Sequence, residues 1–170
     1  MAAFERTRVR ERDPEDANTY ERNMRVQLGF RERSLTGKIV LKGSERPLEQ
    51  SRQGFLQFFN SREAITDTAL KDWTVFLHDI RRHSGKHRHQ GGLAIFVLEG
   101  EGYTVVNGER IDWEAGDLIL LPIQPGGCEH QHFNRYADQP CKWMAFIHRP
   151  LHDEVGLFIE QREESPDYQG

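Results

Sequence analysis

Cysteine occurs only twice in the 170 residues, at Cys128 and Cys141. Two thiols cannot make a disulfide framework, so the fold must rest on packing, and reduced thiols suit a cytoplasmic protein. Long apolar runs are also missing: none approaches the ~20 residues that cross a bilayer, so no membrane span is expected. The first residues, Met1 to Arg8, lack the apolar centre of a signal peptide and carry an acid too early for a transit peptide. Neither charge sign dominates, with 23 Lys and Arg against 27 Asp and Glu and a formal net charge of −4. Such a balance gives nucleic acid or an anionic membrane no electrostatic hold, and neither is expected as a partner. Internal repeats are absent. What remains is one domain with a real core, 36% of it hydrophobic.

The chain divides by texture into three stretches, 1–68, 69–150 and 151–170. Residues 1–12 are rich in Arg and Glu and read as a loose arm. Asp13-Pro14-Glu15-Asp16 has the composition of a helix start, and Ala17, Tyr20, Met24 and Leu28 carry helical spacing toward Arg33. Ile39-Val40-Leu41 is a short strand candidate. Pro47 to Asn60 reads as a second helix or an irregular wrap, anchored by Phe55, Leu56, Phe58 and Phe59. After residue 68, short apolar and β-branched runs alternate with Gly, Pro and Asn turn signals, the texture of an all-β sandwich or barrel. Strands are expected near 73–80, 86–89, 93–98, 102–106, 109–112, 117–121, 128–134 and 142–148. Asn107-Gly108 predicts a tight hairpin, because a type I′ turn needs positive φ at both central positions. Leu118-Ile119-Leu120-Leu121 reads as a buried strand. A closing helix is expected from Asp153 to about Glu163, with Val155, Leu157, Phe158 and Ile159 on its apolar face, followed by a polar tail.

Chemistry concentrates in two runs, Gly85-Lys86-His87-Arg88-His89 and Gly127-Cys128-Glu129-His130-Gln131-His132. Strand side chains alternate with period 2, so His87 and His89 share one face and Arg88 takes the other. The spacing predicts that His87, His89 and His130 meet around one metal ion. His132 shares the face of His130 and is the candidate to orient a ligand, to act as acid or base, or to touch substrate. Glu129 should face away, and would need a bulge to ligate. The remaining histidines, His78, His83, His148 and His152, read as hydrogen-bonded structural residues. Cys128 and Cys141 read as small buried side chains.

Taken together the motifs resemble the cupins, a small double-stranded β-helix or jelly-roll barrel. The first cupin motif appears as His87-Arg88-His89, then Ala94 where a Glu would stand, then Glu99-Gly100-Glu101-Gly102. The second appears as Gly116 followed by an insertion, then Pro125-Gly126-Gly127 upstream of His130, with Asn134 behind it. The fold class implied is mainly β: a single cupin barrel at 69–150 with N- and C-terminal helical flanks. With Ala94 in place of the Glu, and with the phrase Val97 to Val106, the chain resembles gentisate 1,2-dioxygenase and the related three-His ring- and diketone-cleaving dioxygenases.

The resemblance implies a non-heme Fe(II) centre, with Zn, Ni or Mn as the alternatives. Three neutral ligands leave the ion's charge uncompensated, which favours a small anionic, bidentate substrate beside O₂. Candidate substrate contacts are Phe96, Tyr103, Arg82 and Trp143. Further candidates for the pocket wall are Trp113, Phe133 and Phe146, and for cations near the strand ends Arg135 and Lys142. Two other readings stand beside the dioxygenase: an O₂-independent metal-dependent lyase or isomerase, and a small-ligand-binding cupin without catalysis. Exposed sheet edges and apolar flanks imply a homodimer or higher homo-oligomer, with segments from 35 to 60 packed across subunits.

Overall fold

The computed structural model describes residues 18–62 and 64–170. The expected arm at 1–12 and the helix start at Asp13–Asp16 lie outside the described residues. Two antiparallel sheets face each other and enclose the core. One has six strands in the order β1 (Leu48–Ser51), β2 (Gly54–Asn60), β3 (Trp73–Asp79), β10 (Lys142–His148), β5 (Leu93–Glu99) and β8 (Leu118–Leu121). The other has five, in the order β11 (Glu160–Glu163), β4 (Lys86–His89), β9 (Cys128–Asn134), β6 (Glu101–Val106) and β7 (Glu109–Glu114). Helices α1 (Thr19–Thr36) and α2 (Arg149–Glu154) flank the strands. This is the expected jelly-roll barrel.

Alternation builds the core. On β5, Leu93, Ile95 and Val97 turn inward to meet Trp143 and Ala145 of β10 and Ile119 and Leu121 of β8. The Asn107-Gly108 hairpin forms as read, with φ of 50° and 91°. Gly102 lies inside β6, where a Cβ would stand 2.3 Å from both Phe133 O and the Trp113 ring. β8 is an edge strand and is only half covered; Leu118 and Leu120 face outward, so it is not the fully buried strand its composition suggested.

Three expectations fail outside the central strands. Residues 48–60 form the β1–β2 hairpin rather than a helix or irregular wrap, turning at Arg52-Gln53 just before Gly54, whose φ is 116°. Ile39 and Val40 are no strand; they are 90% and 75% exposed, and only Lys38 makes an isolated bridge, to Thr68. The closing helix covers Arg149–Glu154 instead of running from Asp153 to Glu163. Gly156 takes φ of 60°, and the chain then extends as β11 along the open edge of β4. Phe158 and Ile159 are exposed as a result.

Helix α1 begins at Asn18, whose side chain accepts from the Glu21 N–H. It buries no residue, and Tyr20 and Leu28 point to solvent. Arg33 anchors it instead, donating to the carbonyls of Thr68 (2.6 Å) and Ile65 (2.9 Å). Among the described residues no helix is long and apolar enough to cross a membrane.

Candidate metal centre

The register of β4 against β9 sets His87 opposite His130 and His89 opposite Cys128. Period-2 alternation sends all three imidazoles to the inner face, with Arg88 and Glu129 paired on the outer one. Glu129 pairs with Lys86 and Arg162 there, away from the site. The ring centroids of His87 and His89 lie 4.2 Å and 4.7 Å from that of His130. One nitrogen from each ring comes within 4.8 Å of the others, forming the one group of potential metal ligands among the described residues.

The electrostatics suit a cation. Burial first, and then a neighbouring imidazole, pushes His87, His89 and His130 down to about 3. All three are therefore neutral at pH 7, the state in which imidazole ligates. His130 Nδ1–H donates to the Cys128 carbonyl (3.0 Å), which leaves the lone pair on Nε2. That Nε2 is buried with no hydrogen-bond partner, and so is His87 Nδ1. Orphaned ring nitrogens in a neutral cluster fit a divalent transition metal. His89 Nδ1 accepts from the Gly91 N–H (3.0 Å), so its proton sits on Nε2. Ligation by this ring then needs a change of tautomer or a half-turn about Cβ–Cγ.

The inward position beside the histidines is Leu93, not Ala94 as expected. Ala94 faces outward, into a groove with Leu120 and Phe146. Its neighbour Leu93 points inward and lines the cavity beside the histidines. The strand's alternation decides this: position 93 belongs to the inner row with Ile95 and Val97, and 94 to the outer row with Phe96.

His132 stands one inward step along β9, directly opposite Thr104 of β6. Its Nδ1 is 2.8 Å from Thr104 Oγ1, which also accepts from the Trp113 indole N–H (2.9 Å). A hydroxyl that accepts from an indole keeps one hydrogen to give. Donating it to His132 Nδ1 puts the histidine's own proton on Nε2. Burial, followed by the neighbouring His130, holds His132 well below the usual histidine range, so this neutral donor form persists at pH 7.

A cavity of about 240 Å³ opens against the four histidines. Its walls are largely apolar and aromatic, including Leu56, Phe58, Phe76, Trp143 and Ile159. Of the expected substrate contacts, Trp143 lines it. The other three lie elsewhere. Phe96 is on the outer face of β5 and 41% exposed. Tyr103 stacks on Phe133 outside the barrel, under Arg110. Arg82 binds Asp167 and the Pro166 carbonyl in the C-terminal segment. Arg135 and Lys142 are tied to acids on the surface, Phe146 lines the outer groove, and Trp113 lies behind Thr104 rather than in the wall. His78, read as structural, lines the cavity with its ring 4.8 Å from Trp143, and burial holds it near 3. Gly54 makes room for it, since a Cβ there would stand 2.9 Å from His78 Nε2. Arg149 also lines the cavity and was not singled out from the sequence. Its only signal was its place, one residue past the last barrel strand.

Residues 79–147 match the Cupin domain family. A gentisate 1,2-dioxygenase from Streptomyces sp. is 38% identical over 81 residues, which are 46% of this chain and 22% of that protein. The chain spans about a fifth of the length of the first curated relatives it matches, 22%, 18% and 20% in turn. Among solved structures, a mutant salicylate 1,2-dioxygenase from Pseudoaminobacter salicylatoxidans in complex with gentisate is 25% identical, with a TM-score of 0.50 over 87% of this chain and 39% of that one. Streptomyces PAC13 with uridine is 15% identical, with a TM-score of 0.53 over 75% of this chain and 94% of that one, a likeness of fold alone. With its two facing antiparallel sheets, inward His-x-His and a match over residues 79–147, the chain is similar to the cupins and resembles the gentisate 1,2-dioxygenase-like proteins.

Proposed function

We propose that this chain is a non-heme Fe(II) dioxygenase that inserts O₂ into a small aromatic or diketone substrate and cleaves a C–C bond. The observation that carries the reading is three neutral imidazoles with no carboxylate beside them among the described residues, next to a cavity with apolar walls. The dioxygenase names of the curated relatives support it. His87, His89 and His130 would hold the iron, which supplies the redox chemistry for oxygen insertion when bound. Because these ligands are uncharged, an anionic, two-oxygen substrate is the complement to the ion.

The chain's own residues do the rest. His132 holds a proton at Nε2 on the inner face beside His130, so it offers a hydrogen bond to an oxygen atom rather than a base to a proton. Thr104 and Trp113 keep it in that tautomer. Phe58, Phe76 and Trp143 give an aromatic ring a dry wall to lie against, and the enclosing apolar surface excludes water.

Oxygen consumption tests the reading. The Fe(II)-loaded protein is offered gentisate, salicylate, dihydroxyacetophenones and β-diketones in an oxygen electrode. Uptake with one of them, label from ¹⁸O₂ in the product, and loss of both in His87→Ala are expected. Zinc or nickel occupancy with turnover of a substrate under anaerobic conditions would replace the dioxygenase by a lyase or isomerase.

A further inference from the structure

Between His87 and His89, on the outer face of β4, Arg88 stands half-buried. Each neighbouring strand sets an acid opposite it, Glu160 on β11 and Glu129 on β9. Cross-strand pairs of opposite charge usually close across such a gap. Here neither does. Glu160 is taken by Arg162 at 2.9 Å, and Glu129 by Lys86 at 3.6 Å and Arg162 at 3.8 Å. Half-buried Arg46 and Lys142, by contrast, hold Asp67 at 3.0 Å and Glu99 at 2.9 Å. Among the described residues the Arg88 side chain forms no hydrogen bond and no ion pair.

The guanidinium turns instead toward the loop between β8 and β9. A Cβ added to Gly127 would stand 3.0 Å from Arg88 Cγ and Nε, and one added to Gly126 would stand 3.5 Å from Nη2. These two glycines, with φ of 82° and 91°, leave the side chain room to lie along the loop backbone. A surface pocket of about 230 Å³ opens there, walled by Arg88, Gln90, the two glycines, Phe158 and Glu160. Because Glu160 is held by Arg162, the charge of Arg88 in this pocket is uncompensated. On the same wall, the Gln90 amide oxygen is buried without a hydrogen-bond partner. A merely solvated arginine would need neither the glycines nor the hollow.

We propose that this outer pocket is a second binding site, for a small oxyanion, the phosphate or carboxylate group of a small molecule, held by the Arg88 guanidinium. The planar fork of N–H donors matches two oxygens of either group. Partial burial strengthens such a pair over its worth in open water. Size agrees, because about 230 Å³ falls below the ~300–1,000 Å³ of pockets for drug-sized ligands. Phe158, 73% exposed, offers an apolar face to whatever body the anion carries. The site is separate from the cavity on the inner face of β4, yet His89 lines both spaces. An anion at Arg88 therefore lies behind one of the three candidate metal ligands. The site stands on the strand register and the loop glycines, independent of the reaction at the inner centre.

The test is a titration of the 170-residue chain, without added metal, with sodium phosphate and with sodium benzoate, followed in ¹H–¹⁵N spectra at an ionic strength held constant with sodium chloride. Saturable shifts of the Arg88 Nε–H and of the Gly126 and Gly127 amides are expected with at least one of the two anions. Saturation by phosphate alone assigns a phosphate site, and by benzoate alone a carboxylate site that also uses the apolar rim. In Arg88→Gln the affinity is expected to fall at least about ten-fold, as loss of a charge-assisted pair implies, while Arg88→Lys retains part of it. Circular dichroism confirms that both variants fold, and the shifts in the natural chain need no variant. No saturable shift at these three signals, shifts that chloride alone reproduces, shifts confined to the histidine-lined cavity, or an affinity unchanged in Arg88→Gln would each overturn the proposal.

Discussion

At the scale of single residues, the site is a set of tautomers held by neighbours. Cys128 O fixes the proton of His130 on Nδ1, and Thr104 fixes that of His132 on Nε2. The two histidines are two residues apart on one strand face, yet one presents a lone pair and the other a donor. Sequence spacing revealed the face but not this division of labour, since Thr104 reaches His132 only through the β6–β9 register. Thr104→Val keeps the shape and removes both bonds of the hydroxyl. It strands the Trp113 N–H and His132 Nδ1, at a cost of about 1–3 kcal/mol for each buried group. We expect a lower melting midpoint together with a roughly 10–100-fold drop in turnover, as is usual for partners that orient site histidines. Unchanged ¹⁵N shifts for the His132 ring in the variant would show that Thr104 does not set the tautomer.

At the scale of elements, legibility followed alternation. β9 and β10 run over the residues expected, because each has a clear inner and outer row between turn signals. Residues 54–60 did not read as a strand because aromatics occupy both rows. Leu56 and Phe58 line the cavity, whereas Phe55 lies under Arg81 and Phe59 lines an outer apolar groove. With both faces apolar the period vanishes from the sequence. The segment 155–163 misled for the opposite reason: its apolar residues have helical spacing, but the open edge of β4 takes Glu160–Glu163 as a strand. Gly102 shows how tightly the central elements close. Gly102→Ala must displace either the Phe133 carbonyl or the Trp113 ring. Overpacking of this kind costs about 1–3 kcal/mol or more. At roughly 2–4 °C per kcal/mol for a chain of this size, the melting midpoint should fall by several degrees. An unchanged midpoint would mean that β6 and β7 are not packed as described.

For the whole molecule, the cavity is assembled from regions far apart in the chain: Leu56, Phe58 and His78 before the matched residues, His87, His89, His130 and His132 within them, and Arg149 and Ile159 after them. The three histidines were legible because two short motifs carry them. The cavity's other walls were not, because they depend on sheet order. Burial of so many imidazoles gives the fold a pH dependence whose sign follows from their lowered values. In the unfolded chain these histidines take up protons near 6.5, whereas His78, His87, His89 and His130 resist until about 3. Falling pH therefore feeds the unfolded state first. Stability is full above about 6.5 and declines below it, by up to about 1.4 kcal/mol per unit for each group. Metal-free protein should show a flat melting midpoint above pH 7 and a steep fall between 6.5 and 5, a window above the range of the carboxylates.

The central claim is that His87, His89 and His130 form a metal centre, and metal content tests it most directly. The protein is purified without chelator, reconstituted anaerobically with Fe(II), desalted and assayed for bound iron per chain, beside a folded His130→Ala variant. One iron per chain, falling to a small fraction in the variant, is the predicted result. Iron that fails to stay with the natural chain, or binds the variant equally well, would contradict the account.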